Sequence, residues 1–247
     1  MRGNVRPIDL SRLIRQTLKH GPDMRIAEAL RHYGPPCGMT SARLVGYFEI
    51  GKHPEINMQN QEVLRDKVDL VFELSGPNCG PVVTTGGARL PYLVTIKETM
   101  SLNEKSNFYK LFTTMNAAHG GKARHMVQML GKAFRMELFL HKIANGTATL
   151  AVPRGPNGYN IRGVTYQDED TGETKTVVVD PAITELKAFV WDLASKAFWD
   201  SIYIPGEYPE VKNDKGEVIT PKRPHNTIQN RIKAAANFSE IKDLVGE

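Results

Sequence analysis

The sequence predicts a mainly β fold with helical additions, and two observations lead to this class. Five segments alternate apolar and polar residues with a period of two, as half-buried β-strands do. A single segment with helical spacing interrupts them, between the third and the fourth. The predicted strands cover residues 43–50, 67–74, 92–98, 134–142 and 147–153, and polar or Gly/Pro-rich stretches separate them.

The interrupting segment has the signals of a capped helix. Ser101 and Glu104 match a capping box, in which each side chain accepts a hydrogen bond from the backbone amide of the other residue. Gly120 and Gly121 end the helix, and a second short helix follows up to Gly131. The apolar stripe of the first helix consists of Phe108, Leu111, Phe112 and Met115.

The order of these elements, β-β-β-α-β-β, is that of the OB-fold, a five-stranded Greek-key barrel. In that barrel, a helix between strands three and four closes one end, which explains why one helix interrupts the strands. A β-sandwich needs no helix at this position, and a doubly wound sheet needs several. We therefore expect a five-stranded OB-fold-like Greek-key barrel with a helical plug between strands 3 and 4.

Helical segments flank the predicted barrel on both sides. Residues 1–40 contain seven Lys or Arg against three Asp or Glu, and their apolar spacing predicts a basic α-hairpin. Residues 181–247 are predicted to form C-terminal helices and loops that pack on the barrel, which itself spans 41–180. The first C-terminal helix would present Leu186, Phe189, Val190 and Leu193 on one stripe.

Composition and missing motifs narrow the function classes. The chain has 32 Lys or Arg and 27 Asp or Glu, a net charge of +5 that favours a polyanionic partner. No apolar run approaches the ~20 residues that cross a bilayer, and the N-terminus has no apolar leader, so a cytoplasmic location is expected. Cys37 and Cys79 lack the spacing of a zinc site or a disulfide framework.

Motifs of the common catalytic sites are also missing. The sequence contains no phosphate-binding lysine loop, no nucleophile elbow, no HExxH and no paired Cys/His ligands. His119 and His125 are the nearest pair of histidines, and a packing or surface role fits them better than a metal role. We therefore expect no enzyme activity, no cofactor and no metal.

The pattern favours a surface that binds single-stranded nucleic acid. Such a surface needs cations for phosphates and flat rings for bases, and OB barrels offer the face of strands 2 and 3 with the adjoining loops. Basic and aromatic residues interleave at predicted outward positions of the strands and just after the fifth. The candidate DNA-binding residues are Arg43, Tyr47, Lys97, Arg135, Phe139, His141, Arg154, Tyr159 and Arg162. Trp191 and Trp199 fit core anchors that dock the C-terminal segment on the barrel.

Five segments also carry a family resemblance. They are VGYFEIGKH (45–53), DKVDLVFELSGP (66–77), SLNEKSNFYKLFTTMN (101–116), LGKAF (130–134) and QNRIKAAANF (229–238). They resemble segments of bacteriophage single-stranded DNA-binding proteins of the OB-fold type, over about residues 44–240. The resemblance implies a non-enzymatic protein that coats single strands during phage DNA replication or recombination, in the host cytoplasm. Phage replication or recombination proteins would be its partners. Whether the chain forms a homodimer is left open by the sequence.

Two alternative functions remain open. Residues 1–50 could bind duplex DNA, with 40–47 as the recognition helix of a helix-turn-helix, although 43–50 alternates like a strand. Alternatively, the barrel could be an interaction module of a phage structural or assembly protein that binds no nucleic acid.

Overall fold

The computed structural model describes residues 37–76, 79–83, 87, 89–142, 149–213 and 216–247. The two predicted N-terminal helices lie outside the described residues. The last residues of the predicted 1–40 extension are described, and they already belong to the first strand. Residues 40–47 lie in that strand too, so the recognition helix that the duplex-binding alternative placed there is wrong.

The fold is mainly β, as the sequence predicts. The strands are β1 (Gly38–Ile56), β2 (Glu62–Ser75), β3 (Val82–Val83), β4 (Arg89–Leu90), β5 (Tyr92–Thr99), β6 (Ala133–Lys142), β7 (Thr149–Val152), β8 (Arg154–Gly155), β9 (Gly158–Tyr159), β10 (Ile161–Arg162), β11 (Thr165–Gln167), β12 (Thr174–Thr176), β13 (Lys187–Phe189), β14 (Glu207–Tyr208), β15 (Val211–Lys212), β16 (Val218–Thr220) and β17 (Arg223–Pro224). The α-helices are α1 (Asn107–Ala117), α2 (Lys196–Ser201), α3 (Thr227–Lys233) and α4 (Lys242–Val245), and 3-10 helices cover Met126–Met129, Trp191–Leu193 and Phe238–Glu240.

One curled sheet organises the molecule. Its hydrogen-bonded order is β5–β2–β1–β6–β10, and all of these neighbours are antiparallel. β7 pairs with the end of β6, and β13 pairs in parallel with residues 46–48 of β1. All five predicted strands are therefore present, as β1, β2, β5, β6 and β7. Among the described residues, no main-chain pairing joins β5 to β7.

β1 is long and carries two β-bulges, which change the side of the sheet that its residues face. We call the side that packs against α1 the inner side and the opposite one the outer side. The register shifts between Leu44 and Gly46 and again between Glu49 and Gly51. An extra residue in a bulge reverses the alternation that follows it. Leu44 and Phe48, which uninterrupted alternation over the predicted strand 43–50 would place on one side, therefore lie on opposite sides of the sheet.

Two apolar clusters lie on the two sides of β1. The inner cluster joins α1 to the sheet, and its members include Phe72, Phe108, Leu111, Met115, Phe134 and Met136. The outer cluster joins the C-terminal segment to the sheet, and its members include Phe48, Ile50, Phe189, Trp199, Ile232 and Ile241. Trp191 packs against the outer cluster. The predicted role of Trp191 and Trp199 as anchors of the C-terminal segment is thus confirmed.

The helices differ from the prediction at their ends. α1 begins at Asn107, because the Ser106 side chain caps it by accepting from the Tyr109 amide at 3.1 Å. The predicted capping box at Ser101 is therefore wrong: its Oγ accepts at 3.3 Å from the amide of Asn103 instead. The predicted second helix is the 3-10 helix at 126–129.

The predicted amphipathic helix around residues 186–193 is also wrong. Lys187–Phe189 forms β13, and Phe189 is its register partner of Phe48 in β1. Pairing with β1 and burial in the outer cluster override the helical spacing of this segment. Among the described helices, none combines the length and the apolar character that a membrane crossing requires.

Candidate nucleic-acid interface

The outer side of β6 and β10 brings two of the predicted arginines next to each other. Arg135 and Arg162 are register partners, so their side chains leave adjacent strands on the same side. Arg135 Nε donates to the Gly163 carbonyl at 3.0 Å, and the guanidinium lies 3.9 Å from the centre of the Tyr166 ring. Arg162 Nε donates to Asn160 Oδ1 at 3.0 Å. Both guanidiniums are therefore oriented through Nε.

The outer ends of these two guanidiniums have no carboxylate partner within the described part of the chain. The one acidic side chain that β6 itself contributes to this side is Glu137, whose Oε2 accepts from Asn160 Nδ2 at 2.6 Å. Two arginines at paired positions of adjacent strands thus have terminal nitrogens without a carboxylate partner among the described residues. Such paired forks match the oxygens of a phosphate group, which can accept two hydrogen bonds from one guanidinium.

Phe139 and His141 follow on the same side of β6. The half-buried Phe139 ring lies against Gly155 of β8, where an added Cβ would come within 2.6 Å of the ring. His141 is exposed. The two rings extend the arginine pair along the strand. We call Arg135, Phe139, His141 and Arg162 the β6 surface.

Arg154 and Tyr159 lie on the β8–β9 hairpin, and both side chains contact β5. The Tyr159 hydroxyl donates to Glu98 Oε1 of β5 at 2.6 Å, and Arg154 Nη1 lies 3.8 Å from the same oxygen. Burial and the bond to Glu98 raise the pKa of Tyr159 above its usual range, so it stays a donor. Its ring packs against the inner cluster. Tyr159 therefore links the hairpin to β5, and base stacking by its half-buried ring stays a prediction.

Arg43 is the first of two predicted residues that serve the fold. Its Nη1 donates to the Gly131 carbonyl at 2.7 Å, and its Nη2 donates to the carbonyls of Val179 at 2.9 Å and Asp180 at 3.0 Å. Its Nε also donates to Asp180, at 3.2 Å. All three nitrogens of the guanidinium thus donate to backbone carbonyls. The prediction that Arg43 contacts DNA is therefore wrong.

Tyr47 is the second predicted site residue that serves the fold instead. It is completely buried (0% exposed) and belongs to the inner cluster, where its hydroxyl donates to Glu49 Oε1 at 2.8 Å. The bulge after Leu44 turns this position inward, which the uninterrupted alternation could not show. The prediction that Tyr47 is a stacking platform is wrong.

Lys97 is exposed on the outer side of β5, opposite Asp69 of β2. It borders a cavity of about 420 Å³ together with Lys67 and Arg231. Arg231 pairs with Asp69, whereas Lys97 has no ion-pair partner in the described ranges. Two strands, β2 and β1, separate β5 from β6, so Lys97 does not join the β6 surface.

Tyr166 and Asn160 are residues of this interface that the sequence reasoning missed. They orient Arg135 and Arg162, but they contact them across strands and turns, where no sequence spacing signals the contact. Where the chain is described, it contains no group of three or more His, Cys, Asp or Glu side chains placed to hold a metal ion. Comparisons with protein-family models, with curated proteins and with solved structures each found no match, so no relative supplies a role for these residues.

Proposed function

We propose that this protein is a non-enzymatic single-stranded DNA-binding protein, and that the β6 surface holds the strand. The pairing of Arg135 with Arg162 carries the proposal. Like charges directly opposite each other on adjacent strands repel, so an anion that bridges them is favoured. Their free forks suit the regularly spaced phosphates of a nucleic-acid backbone.

The order of the strands supports an OB-fold-like barrel as the scaffold. A Greek key places its fourth strand beside the first, in the spatial order 4-1-2-3. β6, β1, β2 and β5 have this order, and α1 lies between the third and fourth of these strands in the chain. β7 adds the fifth strand next to β6.

Aromatic rings on the same surface favour a single strand over a duplex. Phe139 and His141 lie beyond Arg135 on β6, and flat rings bind the faces of unstacked bases, which a duplex hides. With the resemblance to phage proteins, this supports a role in phage DNA replication or recombination, in the host cytoplasm. The partners would then be single-stranded DNA and other replication or recombination proteins.

The test is fluorescence anisotropy with a labelled ~30-nucleotide single strand and its duplex, over a series of salt concentrations. We expect tighter binding to the single strand, with log affinity falling linearly with log salt. The double variant Arg135→Ala/Arg162→Ala removes two phosphate contacts and should lower the steepness of that line by about 1.4. The variant Arg135→Lys/Arg162→Lys keeps the charge but loses the forks, so its affinity should fall with the steepness preserved.

A charge-matched control separates a site from a general effect of net charge. Lys196 and Lys222 are exposed and pair with Asp200 and Glu207, and changing both to Ala also removes two positive charges. We expect this control, and Arg43→Ala, to leave the salt dependence unchanged. If the control weakens binding as much as the arginine variant, the β6 surface is not the site.

Two further outcomes would point to the other functions. Equal or tighter binding of the duplex would contradict a single-strand binder and favour the N-terminal residues as a duplex-binding segment. No binding of either DNA at low salt would contradict the nucleic-acid function altogether and leave a phage structural or assembly role.

A further inference from the structure

A second concave site lies beside α1, on the inner side of the sheet. It is a cavity of about 410 Å³, a volume within the range of small-molecule sites. Its walls are mainly apolar and include Leu102, Phe108, Tyr109, Phe112, Met126 and Val190. Leu102 stands at the opening and is 85% exposed. None of these side chains belongs to the β6 surface.

The floor of this cavity, which we call the α1 cavity, is a buried carboxylate held in place. Glu49 is only 5% exposed, and its Oε2 accepts from the Trp191 amide at 2.7 Å. Its Oε1 accepts from the Tyr47 hydroxyl at 2.8 Å. Burial first, and then the charge of Glu49, raise the pKa of Tyr47 far above its usual range, so this hydroxyl stays a donor. The Glu49 carboxylate is thus held by donors from two parts of the chain, β1 and residue 191.

His125 forms a flat wall at the edge of the cavity. Its Nδ1 accepts from the Val127 amide at 3.2 Å, which places the proton of the neutral ring on Nε2. That Nε2 lies 3.2 Å from Glu49 Oε1, and the ring meets the Tyr47 ring edge to face at 5.5 Å. Both ring nitrogens of His125 are thus engaged by other groups of the protein.

The opening adds charge to these apolar walls. Arg124 lines it and is exposed, and no residue in the described ranges pairs with its guanidinium. Asp192 is also exposed at the opening and can accept a hydrogen bond from an amino group. The complementary ligand is thus a flat, partly apolar ring that carries an anionic group and has amino hydrogens at its edge.

We propose that the α1 cavity holds one nucleobase, with its phosphate at Arg124. The rings of Tyr109 and Phe112 offer the base an aromatic wall, and stacking on such rings is worth about 1–3 kcal/mol per base. The choice of a nucleobase over other flat anionic compounds rests on the proposed function. A base of a bound strand and a free mononucleotide present the same chemistry, and the experiment distinguishes them.

The first measurement is equilibrium binding of the full chain to the four deoxynucleoside monophosphates and to inorganic phosphate. Stacking together with one charged contact predicts a Kd of about 1 mM for at least one nucleotide. Inorganic phosphate lacks the ring and should bind at least about tenfold more weakly. No nucleotide binding at ten times this concentration would overturn the inference, and so would equal affinity for inorganic phosphate.

Variants at the opening place the ligand without disturbing the core. Leu102→Trp should fill the entrance and exclude the ligand. Arg124→Ala removes the cation, so it should weaken nucleotide binding by about tenfold, the value of one charge-assisted hydrogen bond. Lys122→Ala is the matched control, because Lys122 is an exposed cation two residues away that does not line the cavity. If Lys122→Ala weakens binding as much as Arg124→Ala, the cavity is not the site.

The failure of this inference can be told apart from the failure of the proposed function. Arg135→Ala/Arg162→Ala should weaken strand binding and leave mononucleotide binding unchanged. Strand binding without any mononucleotide binding overturns only the α1 cavity. Mononucleotide binding without strand binding overturns the proposed single-strand function and leaves the α1 cavity as a nucleotide site. With mononucleotide binding established, loss of strand affinity in Leu102→Trp identifies a base of the strand as the occupant. Unchanged strand affinity identifies the free nucleotide.

Discussion

Arg43 and Arg135 lie on the same side of adjacent strands, but their guanidiniums have different uses. Arg43 donates to three different backbone carbonyls and so ties residues 179–180 to the sheet. Arg135 donates to one carbonyl through Nε, and its terminal nitrogens have no carboxylate partner in the described part of the chain. For a charged side chain on a sheet, the number of internal acceptors within reach therefore decides whether it belongs to the fold or to a binding surface.

The buried Tyr47 hydroxyl predicts how the stability of the fold changes at alkaline pH. Its folded-state pKa lies above the value of about 10 for an unfolded tyrosine, so it stabilises the fold below pH ~10 and this contribution is lost as the pH rises further. We expect that not all eight tyrosines ionise until the protein unfolds. Parallel titrations by tyrosinate absorbance and far-UV circular dichroism would test this.

The matched variant is Tyr47→Phe, which keeps the ring and removes the ionisable group. It loses one hydrogen bond to Glu49, so its free energy of unfolding at neutral pH should fall by about 1 kcal/mol. Its loss of stability above pH ~10 should be less steep than that of the unmodified chain. Ionisation of all eight tyrosines with an unchanged circular dichroism spectrum would contradict the buried position of Tyr47.

The sequence placed the side chains of β6 on the correct sides of the sheet, because this strand is regular. Phe134, Met136 and Leu138 are buried and alternate with Arg135 and Phe139, so the period of two gives the right side for each. In β1 the same reasoning fails at Tyr47, since a bulge intervenes. A signal was present, because glycines within a strand often mark bulges and Gly46 and Gly51 flank the two shifts.

At the scale of elements, β1 pairs with three other strands, β2, β6 and β13. Its Gly51 lets the C-terminal segment pack closely on it. Gly51 follows the second bulge with φ +85°, and an added Cβ would lie 2.5 Å from the Trp191 ring and 2.7 Å from Ala235. The nearby Ala236 amide donates to the Lys52 carbonyl at 2.8 Å. The absence of a side chain at Gly51 therefore lets the end of α3 and the Trp191 ring approach the sheet.

Gly51→Ala should therefore be strongly destabilising, by about 3 kcal/mol or more, because it adds a clash with buried groups to the strain of a positive φ. Gly172→Ala is the control, since Gly172 has φ +70° with nothing within 4 Å of an added Cβ. The control should cost only about 1 kcal/mol. Urea denaturation of both variants measures the difference, and equal losses would contradict the close approach at Gly51.

The elements also show where sequence periodicity has its limits. The apolar stripe of α1 was predicted correctly, because Phe108, Leu111 and Met115 pack into the inner cluster next to the helix. The helical spacing around Phe189 misled, because a strand of three residues is stabilised by its neighbour rather than by its own sequence. That neighbour, β1, is more than a hundred residues away in the chain, and no local pattern reports it.

At the scale of the whole molecule, the order of the long strands along the chain could be predicted, but the way the sheet is covered could not. Alternation within each strand gives one buried side, and this predicted the inner cluster. The outer side of β1 is buried as well, because Phe48 and Ile50 pack against the C-terminal residues Trp199, Ile232 and Ile241. The C-terminal segment is thus part of the folded unit, since it supplies both a strand of the sheet and the cover for β1.

This arrangement predicts what removal of the C-terminal segment does. A chain that ends at residue 182 lacks β13, and it exposes the outer side of β1 where Phe48 and Ile50 are now buried. Each such side chain loses about 1.5–3 kcal/mol when it moves from the interior to water, and a typical domain has only about 5–15 kcal/mol of stability in total. We expect the truncated chain to aggregate or to lose cooperative unfolding, as judged by size-exclusion chromatography and urea denaturation.

The control for this truncation is the removal of residues 1–36, since β1 begins at Gly38. That variant should keep a single cooperative transition, because every strand of the curled sheet begins after the deleted residues. If the chain that ends at residue 182 also unfolds in one transition with undiminished stability, the outer cluster does not contribute to the stability of the sheet. Residues 41–180, the span of the predicted barrel, would then be a domain that folds alone. If only the C-terminal truncation loses its transition, the two clusters form one cooperative unit that shares β1.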